Sequence, residues 1–419
     1  MNWKALVVAV ALVVSAVGTP VAAATTNATG QQTSGQAQNG TYVSFETADS
    51  AVVDYTVNGK TLVERMSVQS TAEARGDAGA DLGIDGDTAF TGAGLNLASS
   101  FGAGVSTQAA IESESGAEIV AHDNDRGILV VSANGESQVA RFNGSDGSEA
   151  RKESEKRAVI TSDDGATATV IVIGDGNVSV SDDDVTAQTA EDGKIVYRQY
   201  EGERSDSEKQ QERMIQNGTA VAEVYLQAAG DAASGDGDET PTATPTATST
   251  ATPTATPTEE PSEDAKERSA DVVRYSEDTT IEVTEQSANT FNATVERARS
   301  EGKVVIMSVS DAAFDSAENA EVYVDGEAAA EASSYSEIQA ATEDGETSKY
   351  LIRSSGSAQA SSDVVVGINN FSAREVSMQS DGSGDGSGDG TTASDGQPGF
   401  GAGIAVLALA GAALLARRQ

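Results

Sequence analysis

The chain has 419 residues, no cysteine, and 66 acidic against 26 basic side chains, which gives a formal net charge of -40. Disulfides and thiolate metal sites are therefore excluded, and the charge argues against nucleic acid as a partner because phosphates would repel it. The acids are spread along the whole chain, which favours a solvating surface at molar salt, where the Debye length is about 3 Å. A dedicated cation binder is the alternative explanation of this charge.

The N-terminal residues 1–24 have the pattern of a signal peptide. Lys4 supplies a positive charge, Ala5 to Val17 form an apolar run, and Pro20 to Ala24 offer small residues for cleavage. The run holds about 13 apolar residues, which is too few to span a bilayer. A polar stretch without periodicity, residues 25–41, follows and is expected to be a flexible lead.

Residues 42–228 contain short runs of Val, Ile, Thr and Tyr broken by Gly, Asn and Asp, a pattern typical of strands and hairpins. The alternation from Val53 to Val57, followed by Asn58-Gly59, predicts a β-hairpin. The charged segment Glu203 to Ile215 has no apolar stripe, so we expect an exposed helical turn or a protruding loop there. The span suits one β-sandwich-like or β-solenoid-like domain.

Residues 229–268 interrupt this pattern with the repeat PTATPTATSTATPTATPT. Such a tract favours extended polyproline II and forms no core, so we predict a disordered Thr/Pro stalk that joins two ectodomains. Strand patterns resume in a second β-rich domain, residues 269–378, within which Ala328 to Ala341 favour a helix. An Asp/Gly/Ser spacer occupies residues 379–396. The predicted fold class is mostly β, with terminal signal and anchor helices.

The tail, residues 397–419, has three parts in a fixed order. They are Pro398, Gly399 and Phe400, the apolar run 401–416, and the basic pair Arg417 and Arg418. A membrane span takes about 20 apolar residues, so this helix is marginal as a permanent anchor, and its basic end should stay in the cytoplasm. In order and composition the tail resembles the PGF-CTERM sorting signal of archaeal, mostly haloarchaeal, surface proteins.

The resemblance implies a processing route and two partners. In that family an archaeosortase, a membrane cysteine protease, removes the tail, and a prenyl-type lipid replaces it. The implied partners are an archaeosortase-like processing enzyme and the membrane, contacted by the C-terminal helix or by the replacing lipid. An ordinary single-pass anchor is the alternative. Both readings place the body of the chain on the extracellular face of the plasma membrane, in the S-layer region.

Asn-x-Ser/Thr sequons provide candidate N-glycosylation sites in exposed loops. They are Asn27, Asn39, Asn143, Asn177, Asn217, Asn292 and Asn370. Coincidence is the alternative, because Asn, Ser and Thr are abundant. Several of these sequons fall in predicted turns or at the ends of predicted strands, so we expect several to be modified.

Chemistry-bearing residues are sparse. His122 is the single histidine, and we place it in a polar turn, since a metal or catalytic site needs several converging ligands. Three groups of close carboxylates flank predicted turns and are common in so acidic a chain; they are Asp85 with Asp87, Asp163 with Asp164, and Asp182 to Asp184. We therefore expect no catalytic, cofactor-binding or metal-binding residues and no cofactor.

The sequence thus predicts a structural or adhesive cell-surface glycoprotein of a halophilic archaeon, lipid-anchored and associated with S-layer or other surface proteins. An extracellular carboxylate-dependent hydrolase, or a module that binds a solute or calcium, is the rival function. A buried pair of acids in a concave pocket would favour the rival, and exposed acids on convex faces would favour the structural role.

Replacement of Pro398, Gly399 and Phe400 by alanine should leave a longer form of the protein in the membrane, because the processing enzyme would no longer recognise the tail. Intact-mass measurement of the protein from the native membrane tests this expectation. Thr391→Ala, in the spacer, is the control and should be processed normally. A triple variant with the same mature mass as the unaltered chain would contradict the sorting hypothesis.

Overall fold

The computed structural model describes residues 36–48, 50–78, 90–102, 107–228, 268–354, 361–371 and 373–380. The predicted signal peptide, the spacer from residue 381 onward and the C-terminal tail lie outside these ranges. Of the predicted flexible lead, residues 25–35 lie outside them as well, and the prediction was wrong for residues 36–39, which form a strand because they pair with residues 44–47. All but the last residue of the predicted stalk lies outside them as well. The fold class is confirmed, because the described chain is mostly β.

Two antiparallel sheets form a first β-sandwich, called sandwich 1. Its strands are β1 (Gln36–Asn39), β2 (Val43–Ala48), β3 (Ala51–Val57), β4 (Lys60–Ser70), β5 (Leu95–Leu97), β6 (Gln108–Ser113), β7 (Glu118–His122), β8 (Leu129–Ser132), β9 (Gln138–Gly144), β10 (Glu149–Ser154), β11 (Arg157–Thr161), β12 (Thr167–Ile173), β13 (Gly176–Ser181), β14 (Asp184–Thr189) and β15 (Lys194–Tyr200). The strand orders are β1-β2-β3-β4-β9-β14-β13 and β10-β11-β12-β15-β8-β7-β6-β5. Helix α1 (Thr71–Ala78) follows β4.

The core of sandwich 1 lies between these two sheets and includes Phe45, Tyr55, Phe142 and Tyr197. The ring of Phe142 stacks on that of Tyr197 with centroids 5.9 Å apart. The predicted hairpin is present, since β3 pairs with β4 across Asn58-Gly59. Both turn residues have positive φ, 51° and 75°, as this type of tight turn requires.

A second pair of sheets forms sandwich 2. Its strands are β16 (Ala220–Ala228), β17 (Arg268–Arg274), β18 (Thr279–Gln286), β19 (Thr290–Arg297), β20 (Glu301–Ser310), β21 (Glu321–Val324), β22 (Glu327–Ala328), β23 (Ala330–Glu331), β24 (Lys349–Ser354), β25 (Ser361–Asn370) and β26 (Ala373–Gln379). The strand orders are β17-β16-β20-β25-β24-β23 and β18-β19-β26-β21-β22. Phe291, Phe314 and Met378 are among the residues that fill the core. A short 3-10 helix, Ala317–Asn319, precedes β21.

Strand β16 differs from the predicted domain organisation. It precedes the Thr/Pro tract, yet it belongs to the six-stranded sheet of sandwich 2, where it pairs antiparallel with β17 and parallel with β20. Ala228 and Arg268, which flank the tract, are opposed residues of one ladder. The tract therefore leaves the sheet and returns to it at neighbouring residues, and it does not set the distance between the two sandwiches.

The two sandwiches pack against each other through a third cluster of buried residues. Strands β8 and β15 of sandwich 1 face β16, β20 and β25 of sandwich 2, with Ile128, Val196, Tyr225 and Val365 among the residues in contact. Strands β8, β15 and β16 are buried along their whole length, because both faces of each are covered.

Two helices lie beside this interface. Helix α2 (Asp206–Gln216) buries Met214 and Ile215, so the prediction of an exposed segment at residues 203–215 was wrong. Helix α3 (Tyr335–Asp344) buries Ile338, and it begins later than the helix predicted at residues 328–341. The first residues of that predicted helix instead form parts of the short strands β22 and β23.

Gly127→Ala and Gly135→Ala should destabilise the fold to different extents. Both glycines have positive φ, 48° and 91°, which costs an alanine about 1–2 kcal/mol. A Cβ at Gly127 would lie 2.1 Å from Val57 Cγ2, whereas a Cβ at Gly135 meets nothing within 4 Å. Gly127→Ala should therefore lower the free energy of unfolding by about 1–3 kcal/mol more than Gly135→Ala, because the added methyl group overpacks the site. Urea unfolding of both variants measures the difference, and equal losses would contradict the close packing of Gly127 on Val57.

Candidate functional site

Charged side chains are buried between the two sandwiches, and together they form what we call the ionic layer. Its members are Arg126, Arg198, Glu208, Glu212, Glu223, Asp271 and Asp363, each at most 3% exposed. Strand periodicity explains how they arise, because successive side chains on a strand point to opposite faces. On β15, Tyr197 enters the core of sandwich 1 while Arg198 faces the interface, and on β16 Val224 enters the core of sandwich 2 while Glu223 faces the interface.

The centre of the ionic layer is an ion pair that joins the two sandwiches. Arg198 donates from one guanidinium nitrogen to Glu223 Oε1 at 2.6 Å, and the Tyr225 hydroxyl donates to Glu223 Oε2 at 2.7 Å. Burial alone would lower the pKa of Arg198, but Glu223 and the neighbouring tyrosines raise it well above its usual range. Burial raises the pKa of the Tyr225 hydroxyl, and the Glu223 charge raises it further. Arg198 is thus held in its charged form opposite Glu223.

Arg126 links three elements of the interface. It lies in the turn between β7 and β8 and donates to Glu208 Oε1 on α2 at 2.8 Å. It also lies 3.5 Å from Asp363 Oδ2 on β25, which accepts a second hydrogen bond from Gln211 at 2.7 Å. The guanidinium carbon lies 5.0 Å from the ring centroid of Tyr200. Sandwich 1, α2 and sandwich 2 are therefore tied together at one side chain.

Asp363 has an unusual environment within this group. Its Oδ1 atom is buried without a hydrogen-bond partner among the described residues. Burial raises the pKa of Asp363, and although Arg126 and Gln211 act in the opposite direction, the net shift is upward.

The N-terminal end of α2 is fixed by a capping box that supports the ionic layer. Ser205 accepts from the Glu208 backbone N–H through its side chain, and Glu208 accepts in return from the Ser205 backbone N–H at 2.7 Å. One turn further on, Glu212 accepts from Arg204 at 2.6 Å and from Thr169 on β12 at 2.8 Å. The polar face of α2 is thus buried in paired form, although its sequence contains no apolar stripe.

His122 forms a second contact between the sandwiches. It ends β7 and is 3% exposed, and its Nδ1 lies 3.0 Å from Asp271 Oδ1 on β17. The prediction placed His122 in a polar turn; His122 is instead the last residue of β7, directly before that turn, and its side chain is buried. Burial raises the pKa of Asp271, but His122, Asn124 and Gln108 together lower it below its usual value. The lowered pKa favours the ionised form of Asp271 at neutral pH.

The predicted carboxylate groups that the structure describes are not brought together into a site. Asp163 and Asp164 are exposed in the turn between β11 and β12. Asp182 lies in the turn between β13 and β14, and Asp184 accepts from Arg141 and Asn143. The pair Asp85 and Asp87 lies outside the described residues. Within the ranges given above, no three His, Asp or Glu side chains are grouped so that they could hold a metal ion.

The sequons differ in exposure. Asn39, Asn217 and Asn370 are exposed, and Asn217 follows the last residue of α2. Asn143 and Asn292 are half-buried, and their Nδ2 atoms donate to Asp184 Oδ1 at 2.9 Å and to Glu285 Oε2 at 2.7 Å. Asn177 is half-buried on β13, and Asn27 lies outside the described residues.

A cavity of about 350 Å³ opens at the end of sandwich 2 where β21 turns into β22. Asp325, Glu327, Glu346 and Arg374 are among the residues that line it. The carboxylates are exposed, and Asp325 is paired with Arg374. Its walls are therefore polar and open to solvent, unlike the mostly apolar sites that enclose small molecules.

The geometry defines two β-sandwiches joined by buried apolar side chains and paired charges. Comparison with known proteins adds the tail: residues 397–419 match the family model of the PGF-CTERM motif. A search of curated proteins found no match to the chain. The motif marks an exported cell-surface protein that an archaeosortase processes and that is anchored at the membrane. In the described ranges, none of the helices is long and apolar enough to cross a bilayer; the predicted helix at 401–416 and the whole sorting motif, Pro398 to Phe400 with Arg417 and Arg418, lie outside them.

Asp271→Asn and Asp363→Asn should change the pH dependence of stability in opposite directions. The lowered pKa of Asp271 gives stability that is present above the unfolded value of about 4 and is lost as pH falls through the folded pKa. The raised pKa of Asp363 gives stability that is present below that value and is lost as pH rises through the folded pKa.

Urea unfolding across the acid and neutral range measures this effect. The stability difference between the unaltered protein and the variant should grow with rising pH for Asp271→Asn and shrink for Asp363→Asn. Each variant serves as the control for the other, because both replace a buried carboxylate at the same interface by an amide of the same shape. Parallel slopes would contradict the assigned environments.

Proposed function

We propose that this protein is a non-catalytic structural or adhesive glycoprotein on the surface of a halophilic archaeon. A lipid attached after removal of the tail holds it at the membrane, and its folded body associates with the S-layer or other surface proteins. The acidic exterior keeps the body soluble at molar salt, where repulsion between its charges is screened.

The ionic layer is the observation that carries the non-catalytic assignment. Catalytic acids and bases lie in clefts where a substrate can reach them. Here the central buried charges pair with one another: Arg198 of sandwich 1 binds Glu223 of sandwich 2, and Arg126 binds Glu208 on α2. The same pairing supports a rigid display role, because removal of one partner of a buried ion pair costs about 3–5 kcal/mol.

The open cavity at β21 and β22 is the observation that keeps a solute-binding or calcium-binding module as a second candidate. Its volume of about 350 Å³ lies within the range of ligand sites. The pairing of Asp325 with Arg374 weighs against a cation there, since Arg374 already neutralises that carboxylate. Thermal unfolding with and without a calcium chelator separates the two candidates, and a large loss of stability on chelation would favour the calcium module.

Glycopeptide mapping of the protein from its native membrane tests the glycoprotein assignment. We expect glycans at Asn39, Asn217 and Asn370, whose side chains are exposed. Asn143 and Asn292 should be unmodified, because their amide nitrogens are already hydrogen-bonded to carboxylates on neighbouring strands. These two sequons are the internal control, because they carry the same Asn-x-Ser/Thr motif that the glycosylating enzyme recognises and differ from the other three in their structural environment.

The same sample gives the C-terminal peptide. A missing tail with a lipid adduct would support the anchored form, and a retained segment 401–419 would contradict it. Unmodified asparagine at all three exposed sequons would contradict the glycoprotein role and leave the anchoring result untouched. Modification of Asn143 and Asn292 to the same extent would show that the fold does not select the sites.

A further inference from the structure

Two segments outside the described residues leave sandwich 2 from the same end. The Thr/Pro tract starts after Ala228 and returns at Arg268, and the acidic spacer starts after Ser380. We call the end of sandwich 2 that carries Ala228, Arg268 and Ser380 the tether end. The residues at which the tract and the spacer leave the sandwich are also close in space, because both contact the region of one turn.

The turn between β18 and β19 contacts both exits. Gln286 donates from Nε2 to the carbonyl oxygen of Ser269 at 3.1 Å, next to the residue where the tract returns. Three residues further along the turn, the carbonyl oxygen of Asn289 accepts from the Ser380 backbone N–H at 3.1 Å. Both exits are therefore held by neighbouring residues, the side chain of Gln286 at the end of β18 and the backbone of Asn289 in the turn that follows.

The opposite end of sandwich 2 is identified by the register of β21 and β26. Glu321 pairs with Gln379 at the tether end, and Val324 pairs with Val376 further away, so β21 runs from the tether end toward the other end. The turn that follows β21 and the cavity beside it thus lie at the far end. The 3-10 helix that precedes β21 lies at the tether end.

Chain length limits how far the tether end can lie from the membrane. The spacer between Ser380 and Pro398 has 17 residues, which reach at most about 60 Å.

We propose that the tether end of sandwich 2 faces the membrane, because Ser380, the last described residue before the tail, lies at that end. The far end, with its open cavity, then faces the outer surface layer. The inference rests on the proposed anchoring of the mature chain.

Two single-cysteine variants test this orientation. The chain has no cysteine, so each variant carries one thiol. Glu318→Cys lies in the 3-10 helix at the tether end, and Glu327→Cys lies in β22 at the far end. Both replace an exposed glutamate, and both change the net charge equally. Intact cells are treated with a small membrane-impermeant maleimide or with a large polyethylene-glycol maleimide, and the rates are compared with those of detergent-solubilised full-length protein.

For each reagent, the labelling rate on cells is divided by the labelling rate of the solubilised protein. The measured quantity is this ratio for the large reagent divided by the same ratio for the small reagent. This quantity should be several-fold lower for Glu318→Cys than for Glu327→Cys, because the membrane side excludes the larger reagent. Equal values at both positions, with both thiols labelled on cells, would overturn the orientation and leave surface display intact. A lower value at Glu327→Cys would also overturn it. Failure of the small reagent to label either thiol on cells would overturn surface display and the orientation with it.

Discussion

The structure depends on the rule that a charge taken out of water must meet a partner. Burial of an ion costs several kcal/mol, and the cost is offset only where the geometry supplies an opposite charge and further hydrogen bonds. Arg198 finds Glu223 across the interface, and Arg126 finds Glu208 on α2. Because each of these partners lies on a different element, the charges can be satisfied only when both sandwiches and α2 are in place together. Buried pairs are also screened little by salt, so the same contacts hold where the acidic exterior is fully screened.

Local patterns predicted the strands well, and they failed where the environment was supplied by a distant part of the chain. Alternating Val53 to Val57 and the following Asn-Gly turn are local, and both were predicted. Helix α2 was placed on the surface because charged faces normally lie in water, and nothing nearby in sequence shows that Arg126 and Thr169 cover it. The spacing of Ser205 and Glu208 was a readable sign of its start, since this pair forms the capping box. The burial of His122 depended on Asp271, which follows the Thr/Pro tract, and no periodicity links the two.

The composition of a segment shows whether that segment can form a core. It does not show to which sheet the strands on either side of the segment belong. The Thr/Pro tract was predicted as the boundary between domains, and the strand before it was assigned to the first domain. In the structure β16 completes the second sandwich and is also buried against the first. Its two faces carry different residue types: one carries Val224 and Leu226 into an apolar core, and the other carries Glu223 into the ionic layer. Such a strand looks ordinary in sequence, although it is the element that both sandwiches share.

Ala228 and Arg268 are paired across the β16–β17 ladder, and this pairing determines how much the length of the tract affects stability. Closing a flexible loop costs entropy that grows only with the logarithm of its length, about 0.6 kcal/mol for each doubling. Lengthening a connection from ten to forty residues would thus cost the β16–β17 pair about 1.2 kcal/mol, less than the burial of one large apolar side chain returns. The number of threonines and prolines between these two strands is consequently almost independent of the stability of the sheet. Repeats of such a tract can be gained or lost while the fold that carries them stays the same.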